Sequence, residues 1–230
     1  IIPDNYIFYI SPPIDNKLVI CTKGGTSVYN LKTKDFYIPK INNYLPEYEV
    51  HAIEYIRSNN SWLVATSKGL VVYQDDNQVL RHFYSIKDVE NSLPDNNLRC
   101  MHRINDDKIF IGTVNGFCVY NALNNDIERI NLNALTTNQS PRLDISNIIS
   151  VSENEIMIST YTNGLYLYNY RENTAVHISK FGTRNAISEN YIFDVYKDNL
   201  GSVWVATFTG LNRFENNLAK FSTVNIFENG

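Results

Sequence analysis

Cysteine is scarce here, and its placement excludes two classes at once. Three residues (Cys21, Cys100 and Cys118) are too few and too scattered for a disulfide framework or a metal knuckle. Each lies in an apolar run, so all three are expected to be buried free thiols. Clustered Lys and Arg are also missing. With a net charge of −4 and a pI near 5.6, nothing suggests a surface for nucleic acid. No stretch of about 18 apolar residues occurs, which leaves no candidate membrane helix. There is no signal-peptide pattern, and the chain begins at Ile1 without Met. It is therefore expected to be a processed form or a piece, with any membrane contact made through a segment not present. Finally, no segment keeps a 3.6-residue apolar period over ten residues, so almost no helix is expected.

What is present is apolar and aromatic. Hydrophobic residues make up 43% and charged residues 19%, with 16 Tyr and 11 Phe, a balance that favours folded sheet. One pattern recurs: an apolar run, a Thr, two or three residues, a Gly, then a second apolar run ending in an aromatic. The threonines are Thr22, Thr66, Thr113, Thr160 and Thr207, spaced 44, 47, 47 and 47 residues apart. Gly25, Gly69, Gly116, Gly164 and Gly210 follow them, and Tyr29, Tyr73, Tyr120, Tyr168 and Phe214 close the second runs. Turn-forming segments lead into each unit: Ile2-Pro3-Asp4-Asn5, Leu45-Pro46-Glu47, Leu93-Pro94-Asp95-Asn96, Leu143-Asp144-Ile145 and Ile187-Ser188-Glu189-Asn190.

Each unit holds four short strand-like runs. In the last these are 191–196, 203–207, 211–214 and 220–223, separated by turns at 197–201 and 215–217. Four antiparallel strands per unit of about 46 residues match a β-propeller blade and not a helical solenoid. The chain therefore reads as one all-β domain, residues 1–230, with blades at about 1–44, 45–92, 93–142, 143–186 and 187–230. The nearly continuous apolar second strands fit burial on both faces. The threonine hydroxyl is expected to turn into the following loop, and the glycine to supply φ > 0 or close backbone approach. These signature residues are accounted for by structure alone.

The fifth unit, from Asp198-Asn199-Leu200-Gly201 through Val203-Trp204-Val205-Ala206-Thr207 to Gly210-Leu211 and Phe214, resembles the two-component regulator propeller repeat. The second unit shares Trp62 and Gly69-Leu70. The first, third and fourth carry Leu18, Ile109 and Ile156 in place of the Trp. The resemblance implies the extracytoplasmic, periplasmic sensor region of a hybrid two-component histidine kinase of Bacteroides type. Such regions respond to oligosaccharides and control polysaccharide-utilisation genes, and the full-length protein is expected to be a homodimer. Propellers of that family typically have seven blades; with five units, either two blades lie outside this sequence, or the ring is incomplete or closes with five, and part of a larger ring is the favoured expectation.

No catalytic constellation is apparent. His51, His82, His102 and His177 show no metal spacing and no shared position in the repeat, and read as structural. Asp75-Asp76, Asp106-Asp107 and Glu153 with Glu155 read as solvated turn residues. No metal and no cofactor are expected. Binding is the better expectation, since sugars are held by flat aromatic faces with polar groups beside them. The variable residues after the signature threonines are the candidates: Tyr161, Thr162, Asn163 and Phe208, with Arg184 from a variable linker as a partner for an acidic sugar. A packing role explains Tyr161 and Phe208 equally simply, and for Arg184 a plain surface charge is the favoured reading. Two other functions compete: a protein–protein or dimerisation scaffold, and a propeller lyase or lactonase.

Overall fold

A computed structural model describes residues 2–45, 47–74, 78–181, 186–215 and 220–224. Ile1, Pro46, Asp75, Asp76, Arg184 and the turn positions 216–217, all named above, lie outside the described residues. The fold is all-β, with five four-stranded antiparallel sheets in sequence order, one per repeat. Among the described residues two short helices accompany them, a 3-10 turn at Lys40–Asn43 and α1 at Leu132–Leu135. The chain forms two compact units, residues 1–113 with 118–129, and 114–117 with 130–230.

In the first unit, β1 (Ile7–Ile10), β2 (Lys17–Thr22), β3 (Gly25–Asn30) and β4 (Phe36–Tyr37) make the first sheet. The second sheet comprises β5 (Val50–Ile56), β6 (Ser61–Thr66), β7 (Gly69–Gln74) and β8 (Val79–Phe83). The third comprises β9 (Leu98–Arg103), β10 (Lys108–Thr113), β11 (Gly116–Asn121) and β12 (Asp126–Ile130). β1 and β2 pack on β5, and β5 and β6 on β9, so successive sheets meet through their leading strands. The cores lie between the sheets. Leu63, Ala65, Leu70 and Val72 of the second sheet bury against Leu98, Ile109, Ile111 and Tyr120 of the third. Residues 63–65 of β6 are fully buried, as a strand covered on both faces should be. Arg103 ties the same two sheets, pairing with Glu54 at 2.9 Å and with Asp106 at 2.7 Å. Burial raises the Glu54 carboxyl, and Arg103 opposes that shift.

The second unit holds β13 (Ile145–Ser150), β14 (Glu155–Thr160), β15 (Leu165–Asn169) and β16 (Thr174–Ile178) in one sheet. The other contains β17 (Ile192–Lys197), β18 (Val203–Thr207), β19 (Gly210–Glu215) and β20 (Lys220–Val224). Its core joins Met157 and Leu165 to Ile192, Val195, Val203, Val205 and Phe214.

The signature residues close the hairpin between second and third strands. Thr22, Thr66, Thr160 and Thr207 each donate Oγ1–H to the carbonyl of the hairpin glycine, at 2.7–2.9 Å. Three of these hydroxyls also accept a loop N–H, from Gly24, Lys68 and Asn163. The glycine requirement is steric as well as conformational. Gly69 has φ 114°, and a Cβ there would strike the Phe83 carbonyl oxygen of β8; Gly164, at φ 74°, meets the Ile178 carbonyl of β16 in the same way. The glycine N–H groups reach forward to the next repeat, bonding the carbonyls of Asn96, Leu143 and Asn190 at 2.7–2.9 Å. Within each unit a leading turn is thus fastened to the preceding hairpin.

The Asp–Gly–Trp signature has an equally local explanation. Asp198 accepts the backbone N–H groups of Leu200 and Ser202 at 2.9 Å, while its other oxygen accepts Trp204 Nε1–H at 2.8 Å. These bonds, led by that from Trp204, hold the Asp198 carboxyl below its ordinary range.

Two expectations need correction. Cys21 and Cys118 are buried, but Cys100 is only half-buried. Two of the four histidines do share a position. His82 and His177 both lie on fourth strands opposite the second residue after the hairpin glycine, Val71 and Tyr166. Each donates Nε2–H to a hairpin carbonyl, Lys68 at 3.0 Å and Asn163 at 2.6 Å. Both also lie thirteen residues after the hairpin glycine, Gly69 and Gly164, so the repeat spacing carries the same equivalence.

Candidate functional site

Every leading strand carries a β-bulge at its start. In β17 the register skips one residue between Ile192, opposite Thr207, and Asp194, opposite Ala206, so Phe193 is the extra residue. Phe8, His51, Arg99 and Ser146 occupy the same place in β1, β5, β9 and β13. A bulge re-aims the side chain it carries. In β17 it leaves Phe193 52% exposed, although the strand is otherwise anchored by buried Ile192 and Val195.

Phe193 joins an aromatic cluster within the second unit. The Tyr191 ring lies 5.0 Å from Phe193, 5.5 Å from Tyr161 and 6.2 Å from Phe208, and Phe193 is 6.4 Å from Phe208. The backbone sets these positions. Phe208 N–H bonds the Tyr191 carbonyl at 3.0 Å, and Tyr161 N–H bonds the Asp144 carbonyl at 2.9 Å. Phe208 is 72% exposed and Tyr191 39% exposed, which is costly for rings without a partner. Thr162 is exposed beside them. Asn163 is committed to the scaffold: its amide N–H groups bond Arg142 O and Thr162 Oγ1, and its carbonyl meets His177. Beside the cluster, Asn147 Nδ2–H donates to Asp194 at 2.6 Å across β13 and β17.

The structure thus brings Tyr161 and Phe208 together, puts Thr162 at their margin and assigns Asn163 to the loop frame. Tyr191 and Phe193 were missed by sequence reasoning, although a signal existed. Asn190-Tyr191-Ile192-Phe193 repeats Asn5-Tyr6-Ile7-Phe8 letter for letter. The first copy forms a smaller aromatic group in the first unit, with Phe8 5.0 Å from Tyr6 and 4.4 Å edge-on from His51. His51 is buried and bonded through Nδ1 to the Leu98 carbonyl, a structural role as expected. A second group in that unit surrounds His82. Tyr84 stacks on it at 4.0 Å and bonds its Nδ1 at 2.7 Å, and burial lowers the imidazole's basicity.

The family model of the two component regulator propeller matches residues 186–209, the strand–turn–strand that carries Asp198, Gly201 and Trp204. That segment matches a repeat of this family, in line with the resemblance of the fifth unit. No curated protein sequence matches the chain. Among solved structures, the extracellular domain assigned to the hybrid two component system BT3049 of B. thetaiotaomicron superposes with a TM-score of 0.74. It is 17% identical over 98% of this chain and 31% of its own. The corresponding domain of BT4673 from the same organism gives 0.76 at 21% identity, over 96% of this chain and 28% of its own. A chain of a mitotic checkpoint complex gives 0.66 at 13% identity, over 99% and 66%. At these identities the likeness is one of fold. This chain spans about a third of the length of the extracellular domains it matches.

Proposed function

We propose that this chain is a sensing segment of a two-component signalling protein, lying outside the cytoplasmic membrane, and that it binds an oligosaccharide without transforming it. The family repeat at 186–209 and the shared fold with extracellular domains of such systems support the signalling role. The carrying observation for binding is the exposed cluster of Tyr161, Tyr191, Phe193 and Phe208. A pyranose ring has an apolar face of C–H groups that packs on such rings. Its hydroxyls can bond Thr162 and water at the margin.

Calorimetric titration of the intact chain with a panel of neutral and acidic oligosaccharides tests this. One class should bind saturably, and Phe208→Ala should weaken it roughly tenfold, the scale of one lost ring face. If the panel gives no saturable heat, and sedimentation instead shows self-association that Phe208→Ala abolishes, the cluster is a protein interface and the sugar assignment falls.

A further inference from the structure

We propose that the first unit holds a second ligand site, between its first and second sheets, that takes a sugar ring bearing a carboxylate or sulfate. The outer strand β4 has only two residues, Phe36–Tyr37, where β8, β12, β16 and β20 each have five. Beside it lies a cavity of about 570 Å³, within the range of small-molecule sites.

Four aromatic residues line it: Tyr37, Tyr55, Trp62 and Tyr73. The Tyr55 and Trp62 rings lie 4.7 Å apart, Trp62 is half-buried, and Tyr73 is buried at the base. Buried Val19, Val28 and Ile53 complete the apolar floor. At the rim stand two exposed ammonium groups, Lys17 and Lys40, against one carboxylate, Asp15. Among the described residues neither lysine pairs with a carboxylate, whereas other cations of the chain do, such as Arg103 and Lys180. Aromatic walls under unpaired cations suit a ring with an anionic substituent. That the ring is a sugar rests on the function proposed above; that the ligand is anionic does not.

The chain has only two tryptophans, so Trp204→Phe leaves Trp62 as the sole indole reporter. In that background, a uronate disaccharide, a sulfated disaccharide, a neutral disaccharide and an aryl carboxylate are titrated against Trp62 fluorescence. At least one acidic disaccharide should change the emission saturably and lose affinity as salt rises. Lys17→Gln with Lys40→Gln, which keeps the apolar walls, should weaken it about tenfold, and Phe208→Ala should leave it unchanged. Equal affinity for the neutral disaccharide, or no change at Trp62 with any anionic probe, overturns the site. Binding of the aryl carboxylate alone overturns the sugar assignment. If Phe208→Ala removes all saccharide binding while the lysine variant keeps it, this site fails and the proposed function stands. The reverse pattern leaves this site standing and removes the face around Phe208.

Discussion

Replacing Thr160 by Val removes one hydroxyl from the hairpin that carries Tyr161 while keeping the side chain's shape. That hydroxyl donates to the Gly164 carbonyl at 2.9 Å and accepts Asn163 N–H at 2.8 Å. The two losses are unequal. The Gly164 carbonyl keeps a second bond, from Thr160 N–H at 3.0 Å, so its desolvation stays largely compensated. The Asn163 N–H lies in a half-buried residue that water reaches only in part. A buried, unsatisfied donor costs about 1–3 kcal/mol, and partial access to water puts this one in the lower half. With a smaller loss at Gly164, the total is about 1–2 kcal/mol, or a fall in Tm of about 2–8 °C for a chain of this size. Urea denaturation followed by circular dichroism, with scanning calorimetry, measures it. Thr162→Val, one turn of the loop away and exposed, is the control and should change stability by less than about 0.5 kcal/mol. Because Tyr161 is carried by the same hairpin, Thr160→Val should also weaken saccharide binding. Unchanged stability and unchanged binding in Thr160→Val would refute the role assigned to the repeated threonine.

Gly69→Ala should be more damaging than a usual surface change. It forces an L side chain to φ 114° and drives its Cβ into the Phe83 carbonyl, so a loss of at least about 2 kcal/mol is expected by denaturant titration. A variant as stable as the parent would show that β8 can move away from the hairpin. Stability should also depend on His102, whose imidazole is lowered by burial to about 4. The folded value lies below the unfolded one near 6.5, so the unfolded state binds the proton first. The contribution is complete above about pH 6.5, declines as pH falls toward 4, and amounts to about 1–3 kcal/mol. His102→Gln should flatten this part of the stability profile; an unchanged slope would move the acid sensitivity elsewhere.

Much of the fold was legible because its determinants are local. The Thr–Gly pairs act across three or four residues and so leave a mark in every repeat, and the Asp198 turn acts across six and leaves its mark in the fifth. The strands of the fifth unit were expected at 191–196, 203–207, 211–214 and 220–223, and each is found within about a residue of those limits. The site was only half legible. Tyr161 and Phe208 were visible as aromatics placed just after the signature threonine. Tyr191 and Phe193 looked like ordinary members of an apolar strand, since a bulge depends on how two strands pair and has no compositional mark.

The sequence by itself determined the repeat, its four-strand phase, the hairpin chemistry and the kinship of residues 186–209. All of these follow from contacts between near neighbours in the chain. Only tertiary structure decided that Tyr161 meets Tyr191, thirty residues later, and that Phe193 turns outward. Only tertiary structure showed that Tyr37 of the two-residue fourth strand lines one cavity with Trp62. These features arise where one strand's register or length is set against another sheet, and such pairings are decided by packing across the fold rather than by the residues on either side.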